Sequence, residues 1–327
     1  MIVHEENKLG GTKPELVLAV DLGGTNLRVA AVDRAGRIHC RHKQPTPRTE
    51  TPGEIVRALI DALHACASTV TEQGGTISAV SIVVPGTVDI AERVVIKVPN
   101  LPCLDGFQLC DALERKLEWP VFLENDANAA AIGELWRGAG QGYSTLICVT
   151  LGTGVGGGII LDGKLWRGVD GSAAEIGHMG VDPFSGVNCT CGSEGCLEVF
   201  ASATAVVRMA HEARFRHPNS VLHHAEDLTA EQVYQAGKEG DELAIEVFRR
   251  MGDYLGVGLA SLINLLNPEV IVIGGGLANG WDLFQEHMNK QVSRRAFPIP
   301  ARRVKIVRSQ CGDDAGLLGA ARLVFKD

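Results

Sequence analysis

Residues 16–32 read LVLAVDLGGTNLRVAAV, which is an apolar strand, a glycine turn and a second apolar strand. Glycines let a backbone approach a ligand closely, and successive N–H groups in such a turn form an anion-binding concavity. The spacing therefore predicts a β-hairpin whose turn, Gly23, Gly24 and Thr25, binds phosphate. Asp21, at the end of the first strand, is placed to reach Mg²⁺ through water. The alternative is a hairpin turn that only needs glycine conformations.

The same pattern recurs at residues 146–161, LICVTLGTGVGGGIIL. A shift of 129 positions aligns Val20, Leu22, Gly23 and Asp33 with Val149, Leu151, Gly152 and Asp162. A repeated unit at this distance predicts two similar domains that face one another. Three glycine turns, each after an apolar strand, favour phosphate binding over plain turns. The second and third turns are Gly152, Thr153 and Gly154, and Gly274, Gly275 and Gly276.

Other phosphate-binding folds are excluded by context. Residues 152–157, GTGVGG, match G-x-G-x-x-G, but a dinucleotide site needs that motif to open a helix and strand-like residues follow it here. The sequence contains no G-x-x-x-x-G-K-[ST] motif, which excludes a P-loop. Strand-like stretches alternate with helical ones and predict an α/β class. The main helices are expected at residues 54–70, 109–117, 127–137, 201–213, 231–236 and 242–266.

The composition of the chain indicates which classes of partner it can bind and in which compartment it works. The chain has 327 residues, of which 45% are apolar, and a net charge of −8. An acidic chain is a poor match for nucleic acid or an anionic membrane surface. Neither a secretory signal nor an 18-residue apolar run is present. Nine cysteines, an odd number, indicate a reducing, cytoplasmic location rather than a disulfide framework.

Residues 123–129, LENDANA, place an Asn-Asp pair between a short strand and a helix. Catalysis of phosphoryl transfer consists mainly of positioning, charge neutralisation and orientation of the nucleophile. A carboxylate that takes the proton of an attacking hydroxyl fits Asp126. The alternative is that Asp126 only caps the helix.

Three cysteines and one histidine form H-x10-C-x-C-x4-C, a complete ligand set for tetrahedral structural Zn²⁺. Glu175 lies just before this cluster and Glu198 just after it, so a bound metal would fix both carboxylates. Both can accept hydrogen bonds from a hydroxylated ligand. The alternatives are fortuitous free thiols and two solvated glutamates. The predicted zinc ligands are His178, Cys189, Cys191 and Cys196.

These motifs together resemble the ROK family (repressors, open reading frames, kinases). The resemblance rests on AVDLGGTNLRVA, VVPGTVD, LENDANAAAIGE, AAEIGHMGVD, CTCGSEGCLEVFAS and NPEVIVIGGGLA. It implies the actin-like ATPase (ribonuclease H-like) fold, with two domains that close over a central cleft, and MgATP as phosphoryl donor. We expect an N-terminal domain at 1–124, completed by a C-terminal helix at 312–327. The larger domain, with the zinc loop, is expected at 125–311.

The resemblance also assigns roles to individual residues. Asp126 matches the catalytic base of the family. Asn125, Glu175, His178 and Glu198 match its sugar contacts, and His178 is in addition a zinc ligand. Gly86 lies in a loop expected to line the sugar pocket. Members of the family are often homodimers, and we expect the same here.

The family contains both kinases and sugar-responsive repressors. Repressors carry a helix-turn-helix domain ahead of the first phosphate loop, and residues 1–15, with Gly10, Gly11 and Pro14, do not fit one. The expectation is therefore a kinase that phosphorylates a hexose at its 6-hydroxyl, with glucose favoured. N-acetylmannosamine, N-acetylglucosamine, allose and fructose stay open as substrates.

Overall fold

The computed structural model describes residues 14–225 and 227–325. Its strands are β1 (Glu15–Leu22), β2 (Asn26–Asp33), β3 (Ile38–Pro45), β4 (Thr76–Val84), β5 (Thr87–Asp89), β6 (Val94–Lys97), β7 (Val121–Asn125), β8 (Leu146–Leu151), β9 (Val155–Leu161), β10 (Lys164–Leu165), β11 (Val270–Gly274) and β12 (Lys305–Arg308). Its α-helices are α1 (Pro52–Glu72), α2 (Leu109–Glu114), α3 (Asp126–Arg137), α4 (Glu198–Ala201), α5 (Ala203–Ala213), α6 (Ala230–Lys238), α7 (Glu242–Leu266), α8 (Trp281–Arg295), α9 (Pro298–Arg303) and α10 (Ala315–Val324).

Two five-stranded sheets have the same topology. The first has the order β3-β2-β1-β4-β7 and the second the order β10-β9-β8-β11-β12. In each sheet an antiparallel three-strand meander is extended by two parallel strands. The hairpins β1–β2 and β8–β9 occupy the same place in their sheets. The predicted α/β class and the predicted similarity of the two halves are therefore confirmed.

The central strands of each sheet are buried on both faces. Successive side chains of a strand point to opposite sides, so each such strand packs against two different layers. In β1, Leu16 and Leu18 pack in the cluster that contains the buried face of α1, and Val17 packs with α10. In β8, Ile147 packs with α5, α7 and α8. Cys148, one position on, packs with alanines of α3. Helices α3 and α10 thus form a layer between the two sheets.

Glycines allow α3 and α10 to cross at very short range. A Cβ atom on Gly319 would lie 1.7 Å from the carbonyl oxygen of Ala129, and one on Gly133 would lie 2.1 Å from that of Ala315. No side chain fits at such distances without a backbone shift. The predicted C-terminal helix is present as α10, and it packs on the first sheet. Residues 326–327 of that prediction lie outside the described part of the chain.

Some element boundaries differ from the predictions. The helix expected at 201–213 begins at Ala203, because the extended Ser202 caps it by accepting a hydrogen bond from the Ala205 amide at 3.1 Å. Helix α2 ends at Glu114, three residues before the predicted end. The prediction that residues 1–15 hold neither a secretory signal nor a DNA-binding domain is not tested, because positions 1–13 lie outside the described range. Among residues 14–225 and 227–325, no helix combines the length and the apolar character needed to cross a membrane.

Candidate active site

A cleft of about 800 Å³ lies between the two sheets. Parallel strands end at one edge of their sheet, so the loops that follow them converge there. Thr25 belongs to the first turn but is exposed outside the cleft lining, and its carbonyl oxygen accepts a hydrogen bond from the Thr46 amide at 2.9 Å. The predicted site residues that line the cleft are Asp21, Gly23, Gly24, Gly86, Asn125, Asp126, Gly152, Thr153, Gly154, Glu175, His178, Glu198, Gly274, Gly275 and Gly276.

The first glycine turn follows β1 and carries Asp21 at its entrance. Arg28 lies opposite Asp21 in the β1–β2 register, and its Nη2 is 2.5 Å from Asp21 Oδ2. Burial raises the pKa of Asp21 above its ordinary value, and Arg28 offsets only part of this rise. Gly24 is needed for close approach, because a Cβ atom there would lie 2.6 Å from the Cβ of Asn100. Burial disfavours the charged form of Asp21, and a nearby cation such as hydrated Mg²⁺ would stabilise that form.

The side chain of Glu198 packs against the second glycine turn and binds its backbone. The Val155 amide donates to Glu198 Oε2 at 2.9 Å, and a Cβ atom on Gly154 would lie 2.3 Å from the same oxygen. The start of α5 fixes the other side, since the Thr204 hydroxyl donates to the Thr153 carbonyl at 2.9 Å. This turn is therefore built before any ligand arrives.

The third turn, after β11, lies against the end of β8. Gly275 has a φ of +82°, and a Cβ atom there would lie 2.4 Å from the Leu151 carbonyl oxygen. Both the left-handed conformation and the contact require glycine. The third turn therefore brings its backbone to the same cleft as the other two.

Asn125 ends β7 and caps α3, so the alternative that Asp126 is merely the helix cap is wrong. The Asn125 Oδ1 accepts a hydrogen bond from the Asn128 amide at 3.0 Å, and its Nδ2 donates to the Gly86 carbonyl at 2.8 Å. Asp126 is the first helical residue, and its Oδ1 accepts from the Ala127 amide at 2.8 Å. The Asp126 side chain lines the cleft.

The Asp126 carboxyl group has a strongly perturbed acidity. Burial is the largest cause, and the negative charge of Asp21 adds to it, which raises the pKa of Asp126 from 3.8 to about 7. General bases work best when their pKa lies near the operating pH. An acidic group in a ligand cleft whose pKa is raised by burial and by a second acid is typical of a functional site.

His178 presents its two ring nitrogens to different neighbours. Nδ1 lies 3.5 Å from Cys189 Sγ, and Nε2 lies 3.9 Å from Glu175 Oε2 at the cleft. One ring can therefore contact the cysteine cluster through Nδ1 while Nε2 faces the cleft.

The predicted zinc ligands come together in the structure. One potential ligand atom from each of the four residues lies within 4.8 Å of all the others. The sulfurs of Cys191 and Cys196 are 3.7 Å apart. Zn–S bonds of about 2.3 Å in a tetrahedron place sulfurs about 3.8 Å apart, so this donor set fits Zn²⁺. Cys196 is followed by Leu197 and α4, so the cluster is continuous in the chain with Glu198.

The sequence reasoning missed two arginines that line the cleft, Arg28 and Arg208. The position of Arg28 could have been predicted from the sequence, because a tight antiparallel hairpin at 22–27 places residue 28 opposite residue 21. The position of Arg208 could not have been predicted, because α5 reaches the cleft only through its packing on the second sheet. Arg208 Nη2 donates to the Val199 carbonyl at 2.5 Å.

Comparison with known proteins agrees with the fold. The family model described as "ROK family" matches residues 17–327. A glucokinase from Halalkalibacterium halodurans is 37% identical, and the match covers 94% of each chain.

Two solved structures are similar throughout. One is a ROK family glucokinase from Streptomyces griseus in complex with glucose and AMPPNP, with a TM-score of 0.82 and 37% identity over 94% of this chain and 98% of that one. The other is a ROK family transcriptional regulator, a homologue of the E. coli MLC protein, with a TM-score of 0.86 and 28% identity over 94% of this chain and 77% of that one. The expected actin-like, two-domain α/β fold is confirmed. The chain belongs to the ROK family.

Proposed function

We propose that this protein is an ATP-dependent hexose kinase that phosphorylates the 6-hydroxyl, with glucose as the preferred sugar. One observation carries the proposal: the cleft joins three backbone turns suited to phosphates with a carboxyl group, Asp126, whose pKa is about 7. The similarity to glucokinases along nearly the whole chain supports the same activity.

In the proposed mechanism, the sugar lies between the sheets and its hydroxyls contact Asn125, Glu175, His178 and Glu198, with the Gly86 loop at the rim. The 6-hydroxyl oxygen attacks the γ-phosphorus of ATP while Asp126 takes its proton. The bond from the γ-phosphorus to the β–γ bridging oxygen breaks, and ADP leaves with that electron pair. Gly23 and Gly24 of the first turn and the turns at 152–154 and 274–276 hold the nucleotide, whereas Thr25 lies outside the cleft lining.

Two metals belong to the proposal. Mg²⁺, held through water by Asp21, would neutralise the phosphates. Zn²⁺, held by His178, Cys189, Cys191 and Cys196, would be structural, since four protein ligands leave no open position. It would fix the loop that carries His178 and leads to Glu198. A homodimer and a cytoplasmic location stay predictions.

The test is a coupled ADP-release assay with glucose, mannose, allose, fructose and the two N-acetylhexosamines. We expect glucose to give the highest kcat/KM. A higher value for an N-acetylhexosamine would replace glucose as the substrate. No sugar-dependent ADP release at all would refute the kinase.

A sugar-responsive DNA-binding regulator is the second candidate, because a ROK regulator aligns with a TM-score of 0.86. A regulator needs the sugar pocket but no phosphate loops and no base. The three preformed turns and the raised pKa of Asp126 favour the kinase. Specific, sugar-sensitive gel shifts of genomic fragments, without ADP release, would favour the regulator.

A further inference from the structure

Glu124 is a buried acid directly behind the cleft. It is 1% exposed and immediately precedes Asn125 and Asp126. Its Oε1 accepts hydrogen bonds from the Asn125 amide and from Asn128 Nδ2, both at 3.0 Å. A carboxylate so deeply buried requires partners for both oxygens.

The partner of the second oxygen comes from the segment that follows β10, the edge strand of the second sheet. Arg167 Nε lies 2.8 Å and Nη2 2.7 Å from Glu124 Oε2. Arg167 stands just after β10, and its carbonyl oxygen accepts a hydrogen bond from the Ala173 amide at 3.1 Å. This bond closes the segment 167–173, which leads to Glu175. Arg167 thus fixes the start of the loop that carries Glu175.

We infer that Glu124 and Arg167 form a positioning pair that holds Asn125–Asp126, on one side of the cleft, in register with Glu175 on the other. Neither residue of the pair lines the cleft, so both act through their neighbours. The guanidinium fork fixes distance and orientation together, which a lysine or an apolar contact does not. The inference rests on the proposed function, because it assumes that Asn125, Asp126 and Glu175 contact the sugar.

The test compares Arg167→Met with a matched control, Arg93→Met. Arg93 also forms an ion pair, with its Nη2 2.6 Å from Glu114 Oε1. The same nitrogen donates to the carbonyl of Val121 at 3.1 Å, at the start of β7 and away from the cleft. Both variants remove one arginine that contacts the same strand. The measurements are kcat, KM for glucose and the melting temperature.

A misplacement of about 1 Å costs up to roughly 100-fold in rate. We therefore expect Arg167→Met to lower kcat/KM for glucose by about 10- to 100-fold. Arg93→Met should stay within about twofold, as expected for a separate site. Arg167→Lys keeps the charge and folds more readily, and it should recover only part of the loss.

Glucose affinity, measured by calorimetry in an Asp126→Asn background, separates this inference from the proposed function. There we expect Arg167→Met to weaken glucose binding and Arg93→Met to leave it unchanged. If Asp126→Asn kept full turnover, the base would be wrong, yet a loss of affinity specific to the Arg167 variants would still support the pair. Equal effects of the Arg167 and Arg93 variants on affinity and on kcat/KM would overturn it.

Discussion

Replacement of Asp126 by Asn removes the proposed base and keeps the shape of the side chain. A positioned general base contributes roughly 10²- to 10⁴-fold to a rate. At 1.36 kcal/mol for each tenfold change, this corresponds to about 2.7 to 5.4 kcal/mol of transition-state stabilisation. We expect kcat to fall within that range while glucose still binds, because the Asn amide can contact the same hydroxyl.

The pH dependence follows from the pKa of about 7 for Asp126. Asp126 accepts a proton only when ionised, so its contribution falls as the pH drops. Between about one unit below and one unit above its pKa, the ionised fraction rises about tenfold. The same raised pKa means that the unliganded fold gains stability from protonated Asp126 at low pH, and loses it as the pH rises from about 4 through about 7.

The assay is kcat/KM for glucose from pH 6 to pH 8, with both substrates below saturation, because bound MgATP changes the charge near Asp126 and with it the pKa. The ratio of the wild-type profile to the Asp126→Asn profile cancels the ionisation of ATP itself. We expect this ratio to rise about tenfold across the range. A flat ratio, or a variant with near-normal kcat, would refute the assignment of Asp126.

Three further predictions concern the parts that support the cleft. Cys191→Ser should lower zinc content, measured by atomic absorption, and the melting temperature together; full zinc content would contradict the cluster. Gly319→Ala should destabilise the fold by about 1–3 kcal/mol in urea titration through overpacking. Gly316→Ala is its control on the same helix, because the nearest atoms are 3.8 Å away, and equal losses would count against the tight crossing. Glu134→Ala should cost several kcal/mol in the same titration, since part-buried donors at residues 139 and 309–311 lose their buried acceptor. A loss under about 1 kcal/mol would contradict this.

The features that could be predicted from the sequence are those that depend on residues close together in the chain. The hairpins at 16–32 and 146–161 follow from apolar runs and glycine turns within a few residues, and the shared sheet topology follows from their repetition. The cluster of cysteines and a histidine was equally local, because Cys189, Cys191 and Cys196 lie within eight residues. The cap of α3 is local too, yet the sequence did not show which residue it is. Asn125 and Asp126 are neighbours, and both residue types are favoured as caps.

Contacts between distant segments could not be read from the sequence. Glu124 meets Arg167 across 43 positions, and Glu134 meets Ser309 across 175. Such pairs depend on how α3 crosses α10 and on where the segment after β10 returns to the cleft. The raised pKa of Asp126, the first residue of α3, is of the same kind, because it arises from burial and from Asp21, which lies on β1.

The most direct test of the central claim is a single-turnover reaction of the protein with glucose and γ-labelled ATP, with the product examined by ³¹P–¹H correlation NMR. The proposed function predicts label on the 6-oxygen of glucose, formed by the wild type and nearly absent with Asp126→Asn. Label on any other oxygen, equal transfer by the two proteins, or glucose binding without transfer would contradict it.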